Sequence, residues 1–143
     1  MRVDKMISSL LEEGKRVMIV DDDNDCMFTI KIVLERYGFK VYSFNNAYSA
    51  LESYRASYYD LVILDVILPG MNGFQLYREI KKMDKNVKVC FLSAGQIFYG
   101  TYQDIFSEID ASYFIRKPIE NQKLVRRVEE IIQMDSTQLV LSE

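Results

Sequence analysis

Five short apolar runs alternate along this chain with longer stretches of helical spacing, and that alternation restricts the fold more than any other feature. The runs cover residues 16–20, 40–44, 61–64, 87–92 and 112–115. Three are unbroken or nearly unbroken apolar, as parallel strands covered on both faces must be. The run at 40–44 is the weakest and suits a sheet edge. The first helical stretch sets Phe28, Ile32 and Tyr37 on one side, with Asn24 or Asp25 as its cap and Gly38 as its stop. Further helices are expected at 46–57, 73–83, 101–109 and 120–134, each with apolar residues at helical spacing. Five βα units joined by right-handed crossovers give an α/β class: an open, doubly wound parallel sheet with helices on both faces. In such a sheet function collects at the carboxyl ends of the strands.

The 143 residues leave room for one domain, placed at 15–134. Residues 1–14 form an extension in which Ile7, Leu10 and Leu11 fall at helical spacing, and 135–143 form a tail. At this length a hydrophobic core suffices without disulfides or structural metal. A 49% apolar content argues against disorder, and no apolar run approaches the length of a membrane helix. Arg2, Asp4, Lys5, Glu12 and Glu13 interrupt the start as no signal peptide would, so a soluble cytoplasmic protein is expected. Eighteen basic against twenty-one acidic residues give −3, the wrong sign for holding phosphate backbones. Lys123, Arg126 and Arg127 read as a solvated helix face, and no DNA-binding module is expected. Cys90 reads as a buried small hydrophobe, and Cys26 lies beside acids that disfavour a thiolate. The absence of histidine removes His-based zinc sites, general bases and phosphohistidine chemistry from the chain itself.

At the strand ends, Asp21, Asp22 and Asp23 follow the first strand, Asp65 the third, Ser93 the fourth and Lys117-Pro118 the fifth. A parallel sheet brings these four points to one rim. Carboxylates massed there repel one another, and a hard divalent cation such as Mg²⁺ relieves the repulsion. Acids, a hydroxyl and a lysine around Mg²⁺ are the parts of a phosphoryl-transfer site. Any one part alone is a solvated turn or a helix cap; their order along the chain distinguishes the set.

Asp21-Asp22, Asp65, Ser93-Ala94 and Lys117-Pro118, with Pro69-Gly70-Met71-Asn72-Gly73 after Asp65, resemble the receiver domain of two-component response regulators over about 15–134. The resemblance implies a flavodoxin-like five-stranded sheet of order 2-1-3-4-5. It implies that Asp65 attacks a phosphohistidine of a partner histidine kinase or phosphotransfer protein and becomes an acyl phosphate. Asp22 would ligate Mg²⁺ directly and Asp21 mostly through water, with Asp65 and the backbone carbonyl of Ile67 completing the set. Lys117 and Ser93 would hold the phosphoryl oxygens. Phe114 stands at the family's switch aromatic, and lacking a hydroxyl it is expected inward. Such a domain catalyses only its own phosphorylation and dephosphorylation, so it is a signalling phosphoacceptor and not an enzyme in the ordinary sense.

The expected output is a change of shape at the last two helices and fifth strand, read by an unidentified downstream protein; two copies can pair through the same face. With no output domain in view, a stand-alone receiver is expected. Ile67 and Gly95 depart from the more polar or bulkier residues that many members have beside the path of hydrolytic water. Ile97, Phe98 and Tyr99 make an unusually apolar loop, which packs as a lid or meets a partner together with Tyr102 and Tyr113. Two other readings stand beside this one. One is a constitutive interaction module with a vestigial acid pocket. The other is a phosphatase of the haloacid-dehalogenase type, against which Asp25 stands where that family has Thr or Val.

Overall fold

The computed structural model of the protein describes residues 14–94 and 114–133. Its strands are β1 (Arg16–Val20), β2 (Lys40–Phe44), β3 (Leu61–Asp65), β4 (Val89–Ala94) and β5 (Phe114–Lys117), and its helices are α1 (Asn24–Arg36), α2 (Ala47–Ser53), α3 (Gly73–Met83) and α4 (Asn121–Gln133). The strands form one parallel sheet of order β2-β1-β3-β4-β5. The doubly wound fold and the edge position of 40–44 are both as the sequence implies. The helix expected at 101–109, the aromatic loop with Gly95, Ile97, Phe98, Tyr99, Tyr102 and Tyr113, the extension at 1–13 and the tail from 134 lie outside the described residues. Among the described residues no helix is long and apolar enough to cross a membrane.

Strand alternation builds two cores. Met18, Val20, Val62, Leu64 and Phe91 face one way and meet Ala47, Ala50, Phe74, Leu76 and Ile80 of α2 and α3. Val17, Ile19, Leu61, Ile63 and Ile115 face the other and meet α1 and α4 through Ile30, Val33, Leu34, Leu124, Val128 and Ile131. Each such aliphatic side chain, fully buried, contributes about 1.5–3 kcal/mol. Because both faces are covered, the central strands run apolar without a break over 17–20, 61–64 and 89–92.

Several local expectations need correction. The buried stripe of α1 is Ile30, Val33 and Leu34, extended by Cys26 and Met27, whereas Phe28 and Tyr37 are largely exposed. Two apolar stripes compete on this helix, and the one with more members faces the sheet. Its cap is Asp23, whose carboxylate accepts the amide of Cys26 at 3.1 Å; Gly38, at φ 93°, follows the last turn as expected. Helix α2 stops at Ser53, short of 57. Tyr54 turns to extended backbone there and its hydroxyl donates to Asp84 Oδ2 at 2.8 Å, while the amide of Ser57 donates to the same oxygen at 3.0 Å. The expected fourth strand is shifted to Val89–Ala94, the third ends on Asp65 and the fifth on Lys117, so Ser93, Asp65 and Lys117 lie within their strands and not after them.

Two more features bear on the site. Helix α3 begins with a capping box: Asn72 accepts the Gln75 amide and Gln75 accepts the Asn72 amide, each at 2.9 Å. At the opposite pole, the ammonium of Lys88 donates to the carbonyl of Ile132 near the end of α4.

Candidate functional site

Neighbouring strands β1 and β3 pair Val20 with Leu64, so the next residues, Asp21 and Asp65, emerge side by side. Both are buried, at 0% and 7% exposed. Asp21, Asp65 and Lys117 continue the alternation of Ile19, Ile63 and Ile115, so all three lean to the side of α1 and α4. The long side chain of Lys117 reaches past β4, and its Nζ donates to Asp21 Oδ2 at 2.7 Å and to Asp65 Oδ2 at 3.1 Å. The remaining oxygens accept backbone amides: Asp21 Oδ1 from Asp23 at 3.0 Å and Asp65 Oδ1 from Ile67 at 3.1 Å. Asp22 is exposed, yet a carboxylate oxygen from each of Asp21, Asp22 and Asp65 lies within 4.8 Å of the others.

These surroundings divide the labour of the acids. Burial, and then the adjoining Asp21 carboxylate, push Asp65 up to about 6 against the pull of Lys117. Burial also opposes the charge on Asp21, but hydrogen bonding with Asp65 and Lys117 and the Asp23 amide overcome it and hold its carboxyl below the usual range. Burial works against the Lys117 ammonium as well. The hydrogen bond to Asp21 and the two negative charges outweigh it and raise the amine, which stays charged. Cys26, beside the site, is pushed by burial up to about 11, and Cys90 up to about 12, so neither is a reactive thiolate.

Ser93 is buried at the same rim, but strand alternation sets it with Phe91, on the α2 and α3 side. Among the described residues no hydrogen bond joins it to the carboxylates or to Lys117. Phe114 is half-buried, with its ring stacked on Phe91 at 5.2 Å and tilted against Phe74 at 6.2 Å. Ile67 is 70% exposed, its amide held by Asp65. The structure therefore joins Asp21, Asp22, Asp65 and Lys117 directly, and sets Ser93 and Phe114 one layer away.

Gly73, the last residue of the 69–73 stretch, also belongs to the site. A Cβ built there lies 2.1 Å from the carbonyl oxygen of Asp65, so the start of α3 rests on the backbone of the acidic residue. The Asn-Gly-Phe-Gln capping pattern that fixes this helix start was the available signal.

Two buried carboxylates sharing a lysine, with a third acid beside them, at the carboxyl rim of a β2-β1-β3-β4-β5 sheet are the defining features of a receiver. The chain belongs to the response regulator receiver domain family, whose model matches residues 17–129. Among curated relatives, the chemotaxis protein CheY of Thermotoga maritima is 31% identical over 82% of this chain and 98% of its own. The transcriptional regulatory protein CseB of Streptomyces coelicolor is 33% identical over 85% of this chain. The chain spans about half the length of the first such regulators, 51% of CseB and 54% of YkoG from Bacillus subtilis. The non-phosphorylated HemR receiver domain of Leptospira biflexa superposes with a TM-score of 0.74 at 31% identity, over 85% of this chain and 96% of that one.

Proposed function

We propose that this receiver takes a phosphoryl group from the phosphohistidine of a partner kinase or phosphotransfer protein onto Asp65, and so switches its affinity for a second protein in the cytoplasm. The observation that supports it most is the single Lys117 ammonium held by both Asp21 and Asp65, with Asp22 alongside. An oxygen of the Asp65 carboxylate attacks phosphorus in line. The new P–O bond forms as the P–N bond breaks, and the electron pair leaves with the imidazole nitrogen, which takes up a proton from solvent. Lys117 holds an oxygen of the arriving group and Ser93 donates its hydroxyl to another, which stabilises charge as it builds. Phe114, packed on Phe91, reports the movement of Ser93 to the fifth strand and the helices beside it. The domain turns over no substrate but its own phosphoryl group.

The donor set fits a hard divalent cation: three carboxylates, one of them open to solvent, and no histidine in the chain. Asp21, Asp22 and Asp65 would hold Mg²⁺, with the Ile67 carbonyl as a fourth protein donor. When bound, Mg²⁺ screens the carboxylates from the incoming phosphoryl oxygens.

The test is incubation with Mg²⁺ and acetyl phosphate followed by intact mass. One added phosphoryl group on the wild type and none on Asp65→Asn is the expected result. An unmodified wild type that also fails to bind Mg²⁺ would support the constitutive module, and multiple turnover of a phosphate ester would support a phosphatase.

Acidity provides a second test. The folded carboxyl of Asp65 sits near 6 against an ordinary 3.8, so its proton is bound more tightly in the folded state. That group's contribution to metal-free stability is complete below about pH 4 and is lost as pH rises through 6. Mg²⁺ must displace the same proton. Its affinity is therefore expected to be level above pH 7 and to fall about tenfold per unit below pH 6, as seen by calorimetry. Affinity unchanged between pH 5 and 7 would contradict Asp65 as a ligand.

A further inference from the structure

The outer surface of α3 carries a charge opposite to that of the whole chain, and the one charged residue of the neighbouring α2 is the exposed Glu52. Two adjoining grooves of about 550 and 540 Å³ run along α3 and share Arg78 and Lys82. Met71 and Tyr77 give them an apolar floor, the exposed Tyr48 stands at one edge, and Lys85 extends the cationic rim. Glu79 is the one acid among the residues lining them, and Lys82 pairs with it at 3.0 Å. The ammonium of Lys81 is turned inward, onto the carbonyls of Lys85 and Val87. Arg78 and Lys85 are exposed and have no acidic partner within ion-pair distance among the described residues. This face is thus positive on a protein of net charge −3 whose own acids gather at the strand-end rim.

A row of cations over an aromatic and thioether floor complements side chains that alternate carboxylates with apolar groups. Two unpaired cations are too few to track a nucleic-acid backbone, where binding surfaces neutralise several phosphates. Carboxylates on an extended peptide are complementary to them in charge, and aromatic floors of this kind anchor apolar side chains. We infer that the α3 face docks an acidic, apolar-bearing peptide segment of a partner protein. The inference does not depend on phosphoryl transfer at Asp65.

The probe is a short fluorescein-labelled peptide in which glutamates alternate with leucine and phenylalanine, titrated against the full chain by fluorescence anisotropy. Saturable binding with Kd on the order of 100 µM is expected, weakening with added salt. Arg78→Glu with Lys85→Glu should weaken it about tenfold or more. Lys123→Glu with Arg126→Glu, on exposed positions of α4, should leave it unchanged, and circular dichroism checks that both variants fold. No saturable binding, equal binding of a lysine-for-glutamate peptide, or equal effects of the two variant pairs would overturn the inference. Tighter binding of a single-stranded oligonucleotide with the same dependence on Arg78 and Lys85 would overturn the peptide as occupant.

Discussion

Alanine at position 73 will destabilise the protein and slow phosphoryl uptake at Asp65, although helix propensity alone predicts the reverse. Replacing glycine by alanine within a helix ordinarily gains about 1 kcal/mol. Here the added methyl would sit 2.1 Å from the Asp65 carbonyl oxygen and 3.0 Å from both the Asp65 carbonyl carbon and the Val66 Cα. All three are backbone atoms, so no side chain can rotate aside and β3 and α3 must part. Forced overpacking of this kind costs typically about 1–3 kcal/mol, and the shift displaces the carboxylate that Lys117 and Asp21 share. We expect a net loss of about 2 kcal/mol in urea denaturation and a large fall in the acetyl phosphate reaction. Gly38→Ala is the control. Its glycine has φ 93° with nothing within 4 Å, so strain of about 1 kcal/mol is expected there without loss of phosphorylation. A Gly73→Ala protein as stable and reactive as the wild type would show that this contact does not position Asp65.

Lys117→Ala will separate metal binding from response. The ammonium is the counter-charge for two buried carboxylates, and its side chain is only 15% exposed. Without it, one carboxyl of the pair takes up a proton, and Asp65, already near 6, rises further. Loss of the partner is expected to cost about 1–3 kcal/mol in the absence of metal. Mg²⁺ meets no competing cation in the variant, so calorimetry should find it bound at least as tightly as in the wild type, and it should restore part of the lost stability. The ammonium is also the group proposed to hold a phosphoryl oxygen. Addition of beryllofluoride, which mimics the acyl phosphate, should therefore leave the Phe114 ring resonances of the variant unmoved while shifting those of the wild type. A full ring response in Lys117→Ala would remove Lys117 from the coupling.

How far the sequence could be read depended on the range of the interaction. The sheet, its edge strand and the convergence of Asp21, Asp65 and Lys117 follow from short unbroken apolar runs and the geometry of parallel strands, which are local facts multiplied by topology. The stripe of α1 is hard to read locally because Phe28 and Tyr37 are large and partly apolar like Ile30 and Leu34, and the sheet buries the stripe with more members. The early end of α2 depends on Asp84, thirty residues from Tyr54, and no local pattern announces it. Ser93 was legible as a strand-end hydroxyl. Its lean toward Phe91 followed from counting alternate residues back along β4, a step the motif alone does not prompt.

The hydrogen bond between Lys88 and Ile132 adds a restraint at the far end of α4. A helix of thirteen residues is about 20 Å long, and this one is fastened to the start of β4 at its far end while its near end follows Lys117 and Pro118. Displacement at the near end then becomes rotation about a hinge, and a shift of about 1 Å there turns the helix by roughly 3°. The sheet-facing residues beside the hinge, such as Ile131, barely travel, while the solvent-facing side chains of the first turns sweep through the widest arc. The helix acts as a lever whose near end follows Lys117, the residue held by both buried carboxylates.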